Sequence, residues 1–140
     1  MRLLQAGFLI CTVALAVCGC QSTPEQRLIG AWSTDRDRTV LPDLPSGAFD
    51  GRLRRQLYNV QLKLSADHTF SLSGLSQLGG TWKYENDSLV LTPQQNGAPM
   101  FGGAFLGLRT LKVDREFTSL TYTTQAPFLG SVKLVLVKTA

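Results

Sequence analysis

Histidine occurs once in this chain, as His68, and cysteine three times, as Cys11, Cys18 and Cys20. No thiol follows position 20, which excludes a disulfide and a thiolate metal site from the rest of the chain. His68 has no second imidazole to share a metal with. Lying beside Asp67 in Ser65-Ala66-Asp67-His68, it reads as a solvated turn residue. Serine, histidine and aspartate are all present, but no nucleophile-elbow motif occurs, and the glycine-rich stretches follow neither P-loop nor dinucleotide spacing. Asp67, Glu85, Asp87, Asp114 and Glu116 fall in predicted turns, where turn chemistry and solubility explain them. No catalytic residue, metal or cofactor is predicted, and the expectation is a protein that is not an enzyme.

Charge is also sparse, at 17% of residues, with a net value of +4. That balance, with no recognisable binding motif, argues against nucleic acid as a partner. Asp35 and Asp37 alternate with Arg36 and Arg38, so those positives belong to a mixed turn. Arg52, Arg54 and Arg55 form the one true cluster, read as an exposed helix face, with contact to anionic lipid as the alternative. No apolar run is long enough for a transmembrane helix, which needs about 20 residues. The longest lies at residues 3–17, almost unbroken and interrupted by Gln5.

That run follows the positive Met1-Arg2 start and leads into Val17-Cys18-Gly19-Cys20. The four residues resemble the lipobox of bacterial lipoproteins: an aliphatic residue, a tolerated one, a small one and the cysteine. The resemblance implies a signal peptide over residues 1–19, diacylglycerol transfer to the Cys20 sulfur, cleavage after Gly19 and acylation of the new amine. It places the protein in the cell envelope, anchored to a membrane through Cys20. Gln21 stands where aspartate would signal inner-membrane retention, which implies the periplasmic face of the outer membrane in a host with two membranes. Residues 20–27 are expected to be a tether. Its polar part, residues 21–26, would reach roughly 20 Å at ~3.3 Å per residue.

Residues 28–140 suit a single domain. Their dominant pattern has period two. Tyr58, Val60, Leu62 and Leu64 alternate with polar residues, and Phe70 and Leu72 resume the apolar face after a turn. Compact hairpins are predicted around Glu85-Asn86-Asp87 and around residues 114–117, and the Val/Leu-rich stretch 132–138 suits closure of a sheet on itself. The expectation is an all-β fold of about eight strands, an antiparallel barrel or a tight sandwich, and the barrel is the architecture taken forward. Phe49, Leu53 and Leu57 recur at helical spacing with Pro45 and Gly47 before them, predicting one short amphipathic helix between the first and second strands. Residues 93–107 form a glycine-rich loop carrying Met100, Phe101, Phe105 and Leu106, either folded onto the core or exposed as a contact site.

Gly30-Ala31-Trp32 opens the first strand, and Gly80-Thr81-Trp82 repeats the pattern fifty residues later. Gly-x-Trp at the first strand resembles the opening motif of lipocalins and lipocalin-like lipoproteins. The stretch Asp67-His68-Thr69-Phe70, followed by Gly79-Gly80-Thr81-Trp82, is similar to a pattern common in the latter, with His68 at a position usually held by glycine. The resemblance covers residues 28–93. The second lipocalin motif, Thr-Asp-x-x-Tyr, is absent. It implies that Gly30, Trp32, Gly80 and Trp82 close one end of the barrel. It also implies a small apolar ligand, for which Phe49, Leu53, Phe101 and Phe105 are the candidate contacts. The competing expectation is a module that binds an envelope protein, as an assembly factor or an inhibitor of a periplasmic enzyme.

Overall fold

Strict alternation dictates the wall of this protein. In the computed structural model, which describes residues 22–42, 48–74, 77–94, 108–126 and 130–139, stretches of period-two sequence become strands with one dry and one wet face. β1 (Gly30–Thr34), β2 (Gln61–Leu64), β3 (Thr69–Ser73), β4 (Leu78–Glu85), β5 (Ser88–Pro93), β6 (Thr110–Val113), β7 (Ser119–Ala126) and β8 (Gly130–Lys138) each pair with the next. β8 pairs back onto β1, which closes an eight-stranded antiparallel barrel. Trp32 stands opposite Leu62 on one side and Lys138 on the other.

Turn chemistry sets the registers. Asn86 and Asp87 both take positive φ (49° and 56°), the left-handed pair that a two-residue hairpin needs between Glu85 and Ser88. His68 has φ 63° in the β2–β3 turn, the left-handed conformation that glycine adopts most readily. Asp67 holds this turn by accepting from the Thr69 amide and hydroxyl at 3.0 and 2.6 Å.

Among the described residues two helices accompany the barrel. α2 (Ala48–Leu57) lies between β1 and β2, as the Leu53 and Leu57 spacing requires, and Leu57 joins the core. α1 (Pro24–Leu28) occupies residues read as tether. Its signal is local: Thr23 caps the Gln26 amide, the Gln26 side chain returns to the Thr23 amide, and Pro24 sits at the first turn. Tyr58 and Asn59, expected at the start of a strand, instead form the turn that ends α2; β2 begins at Gln61.

Beyond the end of β1 the Asp35 amide makes one more bond to β8, to the Val135 carbonyl at 2.8 Å. The chain leaves the ladder after Asp35, folds back on an Asp35-capped turn, and rejoins β8 at Val40, whose amide and carbonyl both bond Lys133. The excursion covers Val135, which points outward yet is buried. Thr39 substitutes for the missing backbone partner there: its hydroxyl accepts from the Val135 amide at 3.1 Å. Among the described residues no helix is long and apolar enough to cross a membrane.

Candidate functional site

The up-and-down path gives the barrel two unlike ends. At one end lie the tight β2–β3, β4–β5 and β6–β7 turns together with α1. At the other lie α2, the end of the β7–β8 hairpin and the strand ends from which the connection over residues 94–109 springs.

The first end is sealed. Leu28 is fully buried, and its carbonyl accepts from the Trp32 indole nitrogen at 2.9 Å. Lys138 faces inward beside it: its Nζ donates to the Arg27 carbonyl at 2.7 Å and lies 5.7 Å from the centre of the Trp32 ring. Gly30 makes room for that lysine, since a Cβ there would come within 2.9 Å of the Lys138 Cε. From the far side of α1, the Arg27 guanidinium lies 4.5 Å over the Phe117 ring and donates to the Glu116 carbonyl. α1 therefore spans the mouth, from β8 to the β6–β7 turn.

Trp82 fills the same end from the opposite wall, its indole donating to the Ser65 carbonyl at 3.0 Å beneath the His68 ring. The two Gly-x-Trp stretches match in sequence but not in space. β1 and β4 run in opposite directions, so Gly30 lies nearer the sealed end than Trp32, whereas Gly80 lies farther from it than Trp82. Gly80 is also required by packing: a Cβ would fall 2.1 Å from the Thr92 carbonyl oxygen and 2.8 Å from the Phe70 ring.

Between the two ends the barrel is filled. Inward side chains from every strand, including Trp32, Leu62, Phe70, Trp82, Leu89, Leu111, Leu120 and Leu134, are between 0 and 5% accessible, and Tyr122 is 8% accessible. An internal cavity large enough for water would leave accessible surface on the side chains lining it. An eight-stranded barrel can be solid or can hold one small ligand; here the described interior is solid.

The second end carries the remaining candidates. Leu53 is half-buried against the core, and only the backbone of Phe49 is described. Cys20, Phe101 and Phe105 lie outside the described residues, as do Met100 and Leu106. Arg52 and Arg55 are exposed on α2, and Arg54 donates to the Pro42 carbonyl at 3.2 Å. Thr34 ties α2 to β1 through its hydroxyl, which bonds the Leu57 carbonyl at 2.9 Å. Val40, 58% accessible, is the large apolar side chain most exposed among the described residues.

The titratable groups are occupied with structure. Hydrogen bonds from the Thr69 hydroxyl and amide hold Asp67 below its ordinary carboxylate value. Desolvation pushes Asp114 upward, but bonds from Thr118 and Ser119 outweigh it and the net shift is downward. Tyr84 is raised by desolvation and by its hydrogen bond to Asp87. Among the described residues no three of His, Cys, Asp and Glu gather closely enough to hold a metal ion.

Lys138, Arg27, Phe117 and Leu28 escaped the sequence reading, although all four build the sealed end. The Thr23-Pro24-Glu25-Gln26 capping signal would have revealed α1, and alternation with Val132, Leu134 and Leu136 places Lys138 on the inner face of β8, but nothing local gives its partner, the Arg27 carbonyl. No protein-family model matches the chain, and no curated protein matches it either.

Proposed function

We propose that this protein is a non-catalytic lipoprotein of the cell envelope, anchored through acylated Cys20, whose lipocalin-like barrel acts by binding another envelope protein at its rim, the end that carries α2. The solid interior carries this reading. With the inward side chains at 0–8% accessibility, an apolar ligand would have to displace core residues, each worth about 1.5–3 kcal/mol of burial. That favours the rim, with α2 and the glycine-rich loop over residues 93–107, as the working surface.

Val17-Cys18-Gly19-Cys20 supports the anchor, and Gln21 supports outer-membrane sorting in a host with two membranes. The lipocalin-like assignment draws support from Trp32 at the sealed end of an eight-stranded meander.

Photo-crosslinking in cells tests the rim. Probes replacing Arg54 and Phe101 are expected to capture the same discrete protein, while a probe at Asn86 captures none. Native mass spectrometry of gently extracted protein is expected to show the acylated polypeptide alone. A stoichiometric apolar molecule retained in every preparation would replace this reading with small-ligand binding.

A further inference from the structure

The way α1 is fastened fixes which end of the barrel can meet a membrane. Granted the lipid-anchor reading on which this rests, we infer that the sealed end of the barrel lies against the bilayer and the rim is held away from it. The occupant of the sealed face is therefore the anchoring membrane itself.

Two lengths decide the orientation. Polar residues 21–26 left unfolded would give a tether of roughly 20 Å. α1 starts at Pro24, and its capping box immobilises Thr23. Leu28 is buried, and Lys138 and Arg27 lash the helix to β8 and to the β6–β7 turn. The slack between Cys20 and Thr23 is thus three peptide links, about 10 Å when fully extended. β4, from Leu78 to Glu85, runs the height of the wall. Its end residues lie about 23 Å apart along the strand, and about 18 Å once the strand tilt of an eight-stranded barrel is allowed for. A tether of about 10 Å, rooted at the sealed end, is too short to turn the barrel over and set its rim face-down on the bilayer that holds it.

The surface chemistry agrees with close approach without insertion. The sealed face exposes Arg27 and Arg115 alongside Asp67, Glu85, Asp87 and Glu116, and no large exposed apolar side chain is described there. It sits beside the headgroups and stays hydrated. One consequence concerns Arg52, Arg54 and Arg55: lying at the rim end, they do not contact anionic lipid of the anchoring leaflet, and a partner reaches them from the aqueous side.

The mature chain keeps no thiol once Cys20 is acylated, so a single engineered cysteine can be labelled selectively. The acylated full chain, carrying a fluorophore at Glu116→Cys or at Ser131→Cys, is placed in phosphatidylethanolamine/phosphatidylglycerol vesicles containing headgroup-nitroxide lipid. Quenching is expected to be several-fold stronger at position 116 than at position 131. Inserting twelve Gly/Ser residues between Gln21 and Ser22 is expected to bring the two close to equality. Equal quenching in the unlengthened protein, or stronger quenching at position 131, overturns the orientation. Flotation of the Cys20→Ala chain separates the two ideas: if it floats as well as the acylated protein, the anchor reading fails, whatever the labels report.

Discussion

The Trp32 indole nitrogen donates to the Leu28 carbonyl at 2.9 Å, joining the helix before the barrel to the first strand of its wall. Both partners are buried, so the bond operates where water cannot replace it. A polar leader segment becomes part of the fold through this contact.

Trp32→Phe keeps most of the apolar volume but orphans the Leu28 carbonyl, and is expected to cost about 1–3 kcal/mol. Trp32→Ala adds a cavity, for about 3–5 kcal/mol. Urea unfolding gives the magnitudes. Amide exchange at Ile29, whose N–H bonds the Glu25 carbonyl in α1, is expected to accelerate more than exchange in β4.

Thr39→Val removes the acceptor for the Val135 amide while preserving shape. The Val135 carbonyl keeps the Asp35 amide at 2.8 Å, so one donor alone is stranded. The expected loss is about 1–3 kcal/mol, with faster amide exchange at Val135. Thr39→Ser is expected to recover most of it; a Thr39→Val protein of unchanged stability would remove the hydroxyl from the account of the β1 excursion.

Two glycine-to-alanine changes are expected to differ in sign. At Gly80 the added Cβ meets the Thr92 carbonyl at 2.1 Å, backbone that cannot swing aside, and destabilisation of at least about 1–3 kcal/mol follows. At Gly51, on α2, nothing lies within 4 Å, and replacement is expected to stabilise by about 0.5–1 kcal/mol. Thermal melts of the two variants beside the parent decide both.

Asp114 accepts from the Thr118 and Ser119 amides at 2.7 and 3.0 Å and from the Thr118 hydroxyl at 2.6 Å. Its folded value lies below its ordinary 3.8, so the ionised form is favoured by folding. Its stabilising contribution is present above 3.8 and is lost as pH falls through the lower folded value. Asp114→Asn is expected to flatten the acid limb of the stability profile and leave the pH dependence above 5 unchanged. Denaturant midpoints across that range check it, and an unaltered acid limb would refute the assignment.

Much of this architecture was legible residue by residue. Leu62 and Leu64, Phe70 and Leu72, and Leu111 and Val113 declare an inner face through alternation, because side chains on a strand point to opposite sides. Phe49, Leu53 and Leu57 declare α2 for the same kind of reason. α1 was written in a capping box too short to show periodicity. The Gly-x-Trp pattern recurs in sequence, but β1 and β4 run in opposite directions, so Gly30 and Gly80 fall on opposite sides of their tryptophans along the barrel.

Composition and periodicity by themselves determined that the chain after Cys20 is thiol-free and builds strands with one wet and one dry face. Those properties depend on residue type and on neighbours within a few positions. Only the closed barrel decided that Lys138 lies over Gly30, that Thr39 completes a ladder with Val135, and that core side chains fill the interior. Each depends on residues far apart in the chain, brought together when β8 meets β1; pattern along a sequence carries no information about that distance until the sheet closes.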